Sequence, residues 1–300
     1  MCQKTGLLLF VLTAWLHLFS QQDTGVATLV TPGASLVQVS KQFIFTEGPA
    51  VDKAGNIFFT DQPNNTIWKY DTTGRLSLFM DKTGRSNGMY FDKKGHLITC
   101  ADENNQLWSI GADKKVKVLL TDFNGHLLNG PNDLWIDANE GIYFTDPYYQ
   151  RDYWKRQKPD LDKQNLYYLA KGSKSAVIAD SSFQQPNGIV GTPDGKFLFV
   201  ADIRASKTYR YEIGKKGRLT NRILFAPMGS DGMTLDEKGN LYLTGRGVTI
   251  FDASGKRLGN IPVPSGWTGN VCFGGKDRHV LFITASESVY TLQMQVKGVE

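Results

Sequence analysis

One short phrase returns six times along the chain: a polar Asn, Asp or Glu, usually followed by Gly, then an apolar run, a turn, and a second apolar run. Its copies read EGPAVDKAGNIFFTD, NGMYFDKKGHLITCAD, NDLWIDANEGIYFTD, NGIVGTPDGKFLFVAD, DGMTLDEKGNLYLTG and NVCFGGKDRHVLFITA, beginning at Glu47, Asn87, Asn132, Asn187, Asp231 and Asn270. The intervals of 40, 45, 55, 44 and 39 residues match the four-strands-per-repeat spacing of a β-propeller, not that of a helical or leucine-rich solenoid. The repeat therefore predicts an all-β, six-bladed propeller with four-stranded blades. In a closed ring the same end of each innermost strand faces the central channel, so the six polar residues are expected to meet there.

At 300 residues, length alone allows two domains. A ring of blades, however, cannot be cut without exposing blade edges, which favours one propeller domain over residues 21–300. Ahead of it, Lys4 and the stretch GLLLFVLTAWLHLF form a charged start and an apolar segment of signal-peptide length, with a cut expected close to Ser20. The alternative, a membrane anchor, wants about twenty apolar residues. Cys2 precedes the apolar stretch, so no lipoprotein cleavage site is indicated. Beyond the leader, Cys100 and Cys272 fall in the second and sixth repeats, too far apart in the ring for a disulfide, and are expected as buried thiols. The net charge of +5 comes from basic residues scattered among acidic ones, which argues against a nucleic-acid partner.

Each repeat reads as strand, turn, strand, turn, strand, with β-branched and aromatic enrichment. The last has three clear strands and then the chain stops. Ser35 to Lys41, ahead of the first repeat, has strand character and is expected to supply the missing outer strand and close the ring. The long interval contains an insertion, Pro147 to Asn165, rich in Tyr, Trp, Arg and Lys. It leaves from a strand end at the mouth, and reads either as a surface loop or as a lid or substrate wall.

Glu47, Asn132, Asn187 and Asp231 form an oxygen-only set of two carboxylates and two amides. Such a set suits Ca²⁺ and tolerates Mg²⁺ or Mn²⁺, and offers nothing to a thiolate-seeking metal. Asp133, Asn87 and Asn270 are candidate additional members. A cation held this way polarises a carbonyl, and Asp231 is placed to bind it and also to take a proton from water. Two competing motifs fail on context. Gly84 to Gly88 matches G-x-S-x-G but is followed by a strand where a helix is required. His96 and His279 sit in or beside turns away from the repeat starts, and His126 lies in the loop before Asn132.

The phrases FTEGPAVD, GPNDLWID followed by GIYFTDPYY, QQPNGIVGTPDGKFLFVADIRAS and GSDGMTLDEKGNLYLT resemble the gluconolactonase and regucalcin family, in particular its secreted bacterial members. The resemblance runs over about residues 40–295. It implies a six-bladed propeller that hydrolyses sugar lactones with one divalent cation, Ca²⁺ or alternatively Mg²⁺, Mn²⁺ or Zn²⁺. The implied metal ligands are Glu47, Asn187 and Asp231, with Asp231 also the proton acceptor and Asn132 contacting substrate; Asn87 is a further candidate substrate contact. There is one departure: where regucalcin-like members carry an arginine two residues before the third-blade asparagine, this chain has Gly130. Tyr148, Tyr149, Trp154 and Arg204 are candidates to shape the pocket in its place.

The expectation is thus a secreted or periplasmic, metal-dependent lactone hydrolase with a small-molecule substrate and no nucleic-acid or, after leader cleavage, membrane partner. Two alternatives stay open: a propeller that only binds a sugar or partner through the same face around a structural metal, and a broader esterase or phosphotriesterase.

Overall fold

The computed structural model describes residues 24–299, so the leader expected over residues 1–20 lies outside the described residues. Strands come in six antiparallel four-stranded sheets, one per repeat. In the first blade they are Thr46–Val51, Ile57–Asp61, Thr66–Tyr70 and Leu76–Asp81. The innermost strands of blades one to six are Thr46–Val51, Ser86–Phe91, Leu134–Ile136, Pro186–Gly191, Met233–Leu235 and Asn270–Gly274. Each touches its neighbours on both sides, and the last touches the first, so the inner strands form a closed hub.

The final blade closes as the missing strand requires. Its own chain supplies Asn270–Gly274, Val280–Ala285 and Ser288–Gln293, and Val37–Ser40 adds the outer strand, pairing Val37 with Thr291 and Ser40 with Val289. The closing strand is a little shorter than the sequence suggests, and its side chains are exposed or half-buried. Its contribution is backbone pairing that satisfies an open edge.

Hydrophobic burial lies between blades rather than within them, because each sheet is apolar on both faces. Phe58 and Ile67 of the first blade pack with Leu97 and Ile110 of the second; Phe59 of the first packs with Phe282 and Val289 of the sixth. Corresponding clusters join every other neighbouring pair. No blade completes its core alone, so closing the ring and burying the core are one event. Turns between first and second strands repeat one device: Asp52 Oδ1 accepts the N–H of Ala54 and Asn56, both at 2.9 Å, an Asx turn that leaves Gly55 at a φ of 95°.

Cys100 and Cys272 are both buried and are not joined to each other by a disulfide, as their separation in the ring demands. The insertion ends one residue earlier than the sequence suggests, since Asn165 opens the strand Asn165–Leu169 and pairs with Asp146.

Candidate active site

Strand register breaks just after the repeat's polar residue, between Glu47 and Ala50, Ser86 and Met89, and Pro186 and Ile189. Such bulges bend a strand and re-aim a side chain. Here they turn Glu47, Asn87 and Asn187 toward the hub. The glycines that follow are needed because adjacent inner strands nearly touch: a Cβ on Gly48 would lie 2.0 Å from the Asn87 carbonyl oxygen, and one on Gly88 2.5 Å from that of Asn132. The recurrent Asn-Gly and Asp-Gly pairs therefore record strand approach at the hub, not a hairpin turn.

The repeat brings three carboxylates into one electrostatic neighbourhood. Glu47 and Asp133 are buried and Asp231 is half-buried. Burial, then repulsion from Asp231 and Asp133, holds the Glu47 carboxyl well above the usual carboxylate range, against the pull of a 2.8 Å hydrogen bond from its neighbour Gly48 N–H. Burial likewise raises Asp133 to about 7 and Asp231 to about 6. Asn270 ties two of them together, its Nδ2 donating to Glu47 Oε2 at 3.2 Å and to Asp133 Oδ2 at 3.5 Å. Asp231 is fixed at both oxygens: Asn187 Nδ2 donates to Oδ1 at 2.8 Å and Trp267 Nε1 to Oδ2 at 2.6 Å.

The amide oxygens behave differently from the amide nitrogens. Asn87 Oδ1 and Asn187 Oδ1 are buried without a hydrogen-bond partner. Leaving an acceptor so costs about 1–3 kcal/mol, and it stands here beside acids whose charges repel. Orphaned amide oxygens next to under-compensated carboxylates are the donor set a hard cation completes. Glu47, Asn187 and Asp231 fit a divalent ion, with buried Asn132, whose side chain makes no hydrogen bond to the described residues. Among the described residues no three His, Cys, Asp or Glu side chains group as a metal cluster.

The insertion, residues 147–164, folds against this mouth. Tyr149 OH meets Asn187 Nδ2 at 3.0 Å, and burial followed by the Asp231 charge pushes its hydroxyl pKa up, so it stays protonated. Trp154 Nε1 donates to the Asp102 carbonyl at 3.0 Å, and Arg151 Nε to the Asp102 carboxylate at 2.9 Å. Of the two readings of this segment, the wall describes its position.

Tyr148 is half-buried and bonds Gln150 and Gln164 within the insertion, while Arg204 is exposed on the turn that follows Phe197–Asp202. Among the described residues no histidine enters the hub: His96 bonds Asp92 in its turn at 2.9 Å, His126 faces Asp160, and His279 holds the carbonyls of Met294 and Val296. Ser86 of the G-x-S-x-G match is inside a strand, its hydroxyl spent on the Thr83 carbonyl at 2.7 Å. Trp267 and Arg151 are the members sequence reading missed. Arg151 falls in the insertion singled out for its aromatic and basic content, whereas Trp267 lies between repeats, where periodicity carries no signal.

Fold and hub together define a six-bladed propeller whose inner strands gather three acids beside the Tyr149 insertion. The chain belongs to the SMP-30/Gluconolactonase/LRE-like family, whose model matches residues 14–287. It is 26% identical to a gluconolactonase of Zymomonas mobilis, over 93% of this chain and 86% of that protein. Among solved structures it is similar to a gluconolactonase from Xanthomonas campestris, with 26% identity, a TM-score of 0.83, and coverage of 91% of this chain and 93% of that one. A calcium-binding regucalcin from Agrobacterium tumefaciens shares the fold at 18% identity and a TM-score of 0.74, covering 88% of this chain and 95% of the other.

Proposed function

We propose that this protein is a divalent-cation-dependent hydrolase that opens sugar lactones. One observation carries the reading: the carboxylates of Glu47, Asp133 and Asp231, the first two buried and the third half-buried, act on one another at a hub that also holds the unpartnered amide oxygens of Asn87 and Asn187, in a family whose named relatives are gluconolactonases. Glu47, Asn132, Asn187 and Asp231 would hold the ion. Ca²⁺ suits these oxygens best, with Mg²⁺ or Mn²⁺ next; the hub offers neither imidazole nor thiolate to favour Zn²⁺. A bound divalent cation supplies polarisation of the lactone carbonyl and stabilisation of the oxyanion that forms on it.

The chain's own residues supply the rest. Asp231, raised to about 6 by burial, is ionised at neutral pH yet basic enough to accept a proton. Water adds to the carbonyl carbon as that proton passes to Asp231; the ring carbon–oxygen bond then breaks, and the proton goes to the departing ring oxygen, giving a hydroxy acid. Trp267 and Asn187 hold the Asp231 carboxylate still through this cycle. Asn132 and Asn87, with Tyr149 as a neutral hydroxyl, are the polar groups available to substrate oxygens. The leader read over residues 1–20 supports a secreted or periplasmic site of action.

Asp231→Asn keeps the size and one of the two accepted hydrogen bonds, since an amide nitrogen cannot accept from Asn187 or Trp267, and removes the base, a change worth about 10²–10⁴-fold in kcat. Proton release on glucono-δ-lactone, followed by pH-stat, is expected to fall by that amount with the melting temperature retained. A variant as active as the parent would remove Asp231 from the mechanism.

A further inference from the structure

In three blades the acid that ends the second strand is a backbone staple. Asp61 accepts the N–H groups of Ile44 and Phe45, both at 3.2 Å; Asp146 those of Asn129 at 2.9 Å and Gly130 at 2.8 Å; Asp202 those of Gln184 at 2.8 Å and Gln185 at 3.0 Å. In the second blade the matching register position is Ala101, paired with Ser86 as Asp61 is with Thr46 and Asp202 with Pro186. The acid comes one residue later, at Asp102, and is not used as a staple. It is 1% exposed and accepts from Arg151 Nε at 2.9 Å, from Gln62 Nε2 at 3.1 Å and from the Tyr153 hydroxyl.

Among the described residues Arg151 hydrogen-bonds through Nε alone; its terminal Nη groups make no hydrogen bond to them, and about a quarter of the side chain (24%) reaches solvent. Its guanidinium lies 5.5 Å from the centre of the Tyr149 ring, and Tyr149 in turn bonds Asn187 at the hub. The Arg151 charge is also felt at Asp231. The seat is tight, since a Cβ on Gly130 would come within 2.7 Å of Asp102 Oδ1 and 2.8 Å of the Trp154 ring. A free guanidinium edge has donors and no acceptor, so it binds acceptor oxygens.

We propose that Arg151, oriented by Asp102, is a specificity-determining residue that grips the hydroxyl oxygens of a neutral polyhydroxylated lactone above the hub. Neutral substrates are favoured over acidic ones because Asp102 already matches the Arg151 charge and the hub carboxylates repel an anionic substituent. Asp102 is a positioning residue, acting through Arg151. The inference rests on the hydrolytic reading of the same site.

The test compares glucono-δ-lactone with δ-valerolactone, which has no hydroxyls, in Arg151→Met, Asp102→Asn and the double variant; the last leaves neither charge unpaired and remains usable if a single variant misfolds. Losing a hydrogen bond from a charged donor is worth about 10- to 100-fold. The Arg151→Met and double variants are expected to raise KM for glucono-δ-lactone by about that factor, with kcat changing far less, while δ-valerolactone is affected at least tenfold less. Asp102→Asn should show the same selectivity, and the double variant should be no worse than Arg151→Met. Parallel losses on both lactones, or an unchanged KM for glucono-δ-lactone, would overturn the inference while leaving lactone hydrolysis intact. Calorimetric binding of the non-hydrolysable glucono-δ-lactam separates the two claims: binding by the parent that Arg151→Met loses, without turnover of either lactone, counts against hydrolysis alone; no binding by the parent counts against the grip.

Discussion

Stripping divalent ions and then raising the pH from about 4.5 to about 8 should lower this protein's thermal stability, the reverse of what salt-bridged carboxylates usually produce. Asp133 is raised from 3.8 to about 7 and Asp231 from 3.8 to about 6, with Glu47 moved in the same direction. At about 1.36 kcal/mol per pH unit, those two shifts correspond to about 4 and about 3 kcal/mol. Repulsion among the acids is shared, so the total is on the order of 5 kcal/mol. The folded state holds protons that the unfolded chain gives up at a pH near 4, so the stabilisation is full below that pH and is lost as the pH rises through 6 to 7. For a domain of this size 1 kcal/mol moves the melting temperature by about 2 °C, giving a fall of about 10 °C across the window. Exposed and half-exposed acids whose pKa is lowered, such as Asp71, Asp92 and Asp252, titrate below that window and do not mask it, whereas buried Asp146, outside the hub and also raised to about 7, adds to the slope in every variant, so the hub's share is the difference that Asp133→Asn makes. Scanning calorimetry of chelator-treated protein should show this slope, and Asp133→Asn should make it shallower. Returning the ion at high pH should restore the melting temperature by binding the folded state alone. A flat or rising melting temperature in the chelated parent, or an unchanged slope in Asp133→Asn, would refute a hub of under-compensated acids.

Two further outcomes follow from the same geometry. Trp267→Phe removes the 2.6 Å hydrogen bond that stabilises the Asp231 carboxylate; its pKa should rise, moving the acid limb of the pH–kcat profile up by about one pH unit and sparing the rate at alkaline pH. Deleting residues 30–41 removes the strand that pairs with Ser288–Gln293, together with the bridge from Val30 to Met294; it should abolish soluble folding, and a well-folded monomer by gel filtration and circular dichroism would show that the ring closes without it.

The ring was legible because propeller blades repeat in sequence as they repeat in space: six copies of one phrase at near-constant spacing fix blade number, strand order and the shared hub. The unfinished last copy exposed the closing strand for the same reason. Strand ends were less visible, since the bulge after Glu47 draws Thr46 and Glu47 into the first strand where the apolar run alone suggests Ala50. Within the site, residues at the repeated position were readable, and residues that reach the hub from between repeats were not. Trp267 lies three residues before Asn270 in a loop that no other blade copies. Asp102 was present in the repeat but displaced by one position from the staple it replaces, a difference that acquires meaning only when the partners of Asp61, Asp146 and Asp202 are seen. The glycine after the polar residue had a physical cause that sequence could not supply, the approach of neighbouring backbones.

The central claim is that Glu47, Asn132, Asn187 and Asp231 serve one divalent ion on which lactone opening depends. A pH-stat assay of glucono-δ-lactone hydrolysis, run on chelator-treated protein before and after titration with Ca²⁺, Mg²⁺, Mn²⁺ or Zn²⁺, measures it directly. The account predicts a loss of at least about 100-fold on chelation and recovery saturating at one equivalent of ion per chain. Full activity in the chelated protein would contradict it.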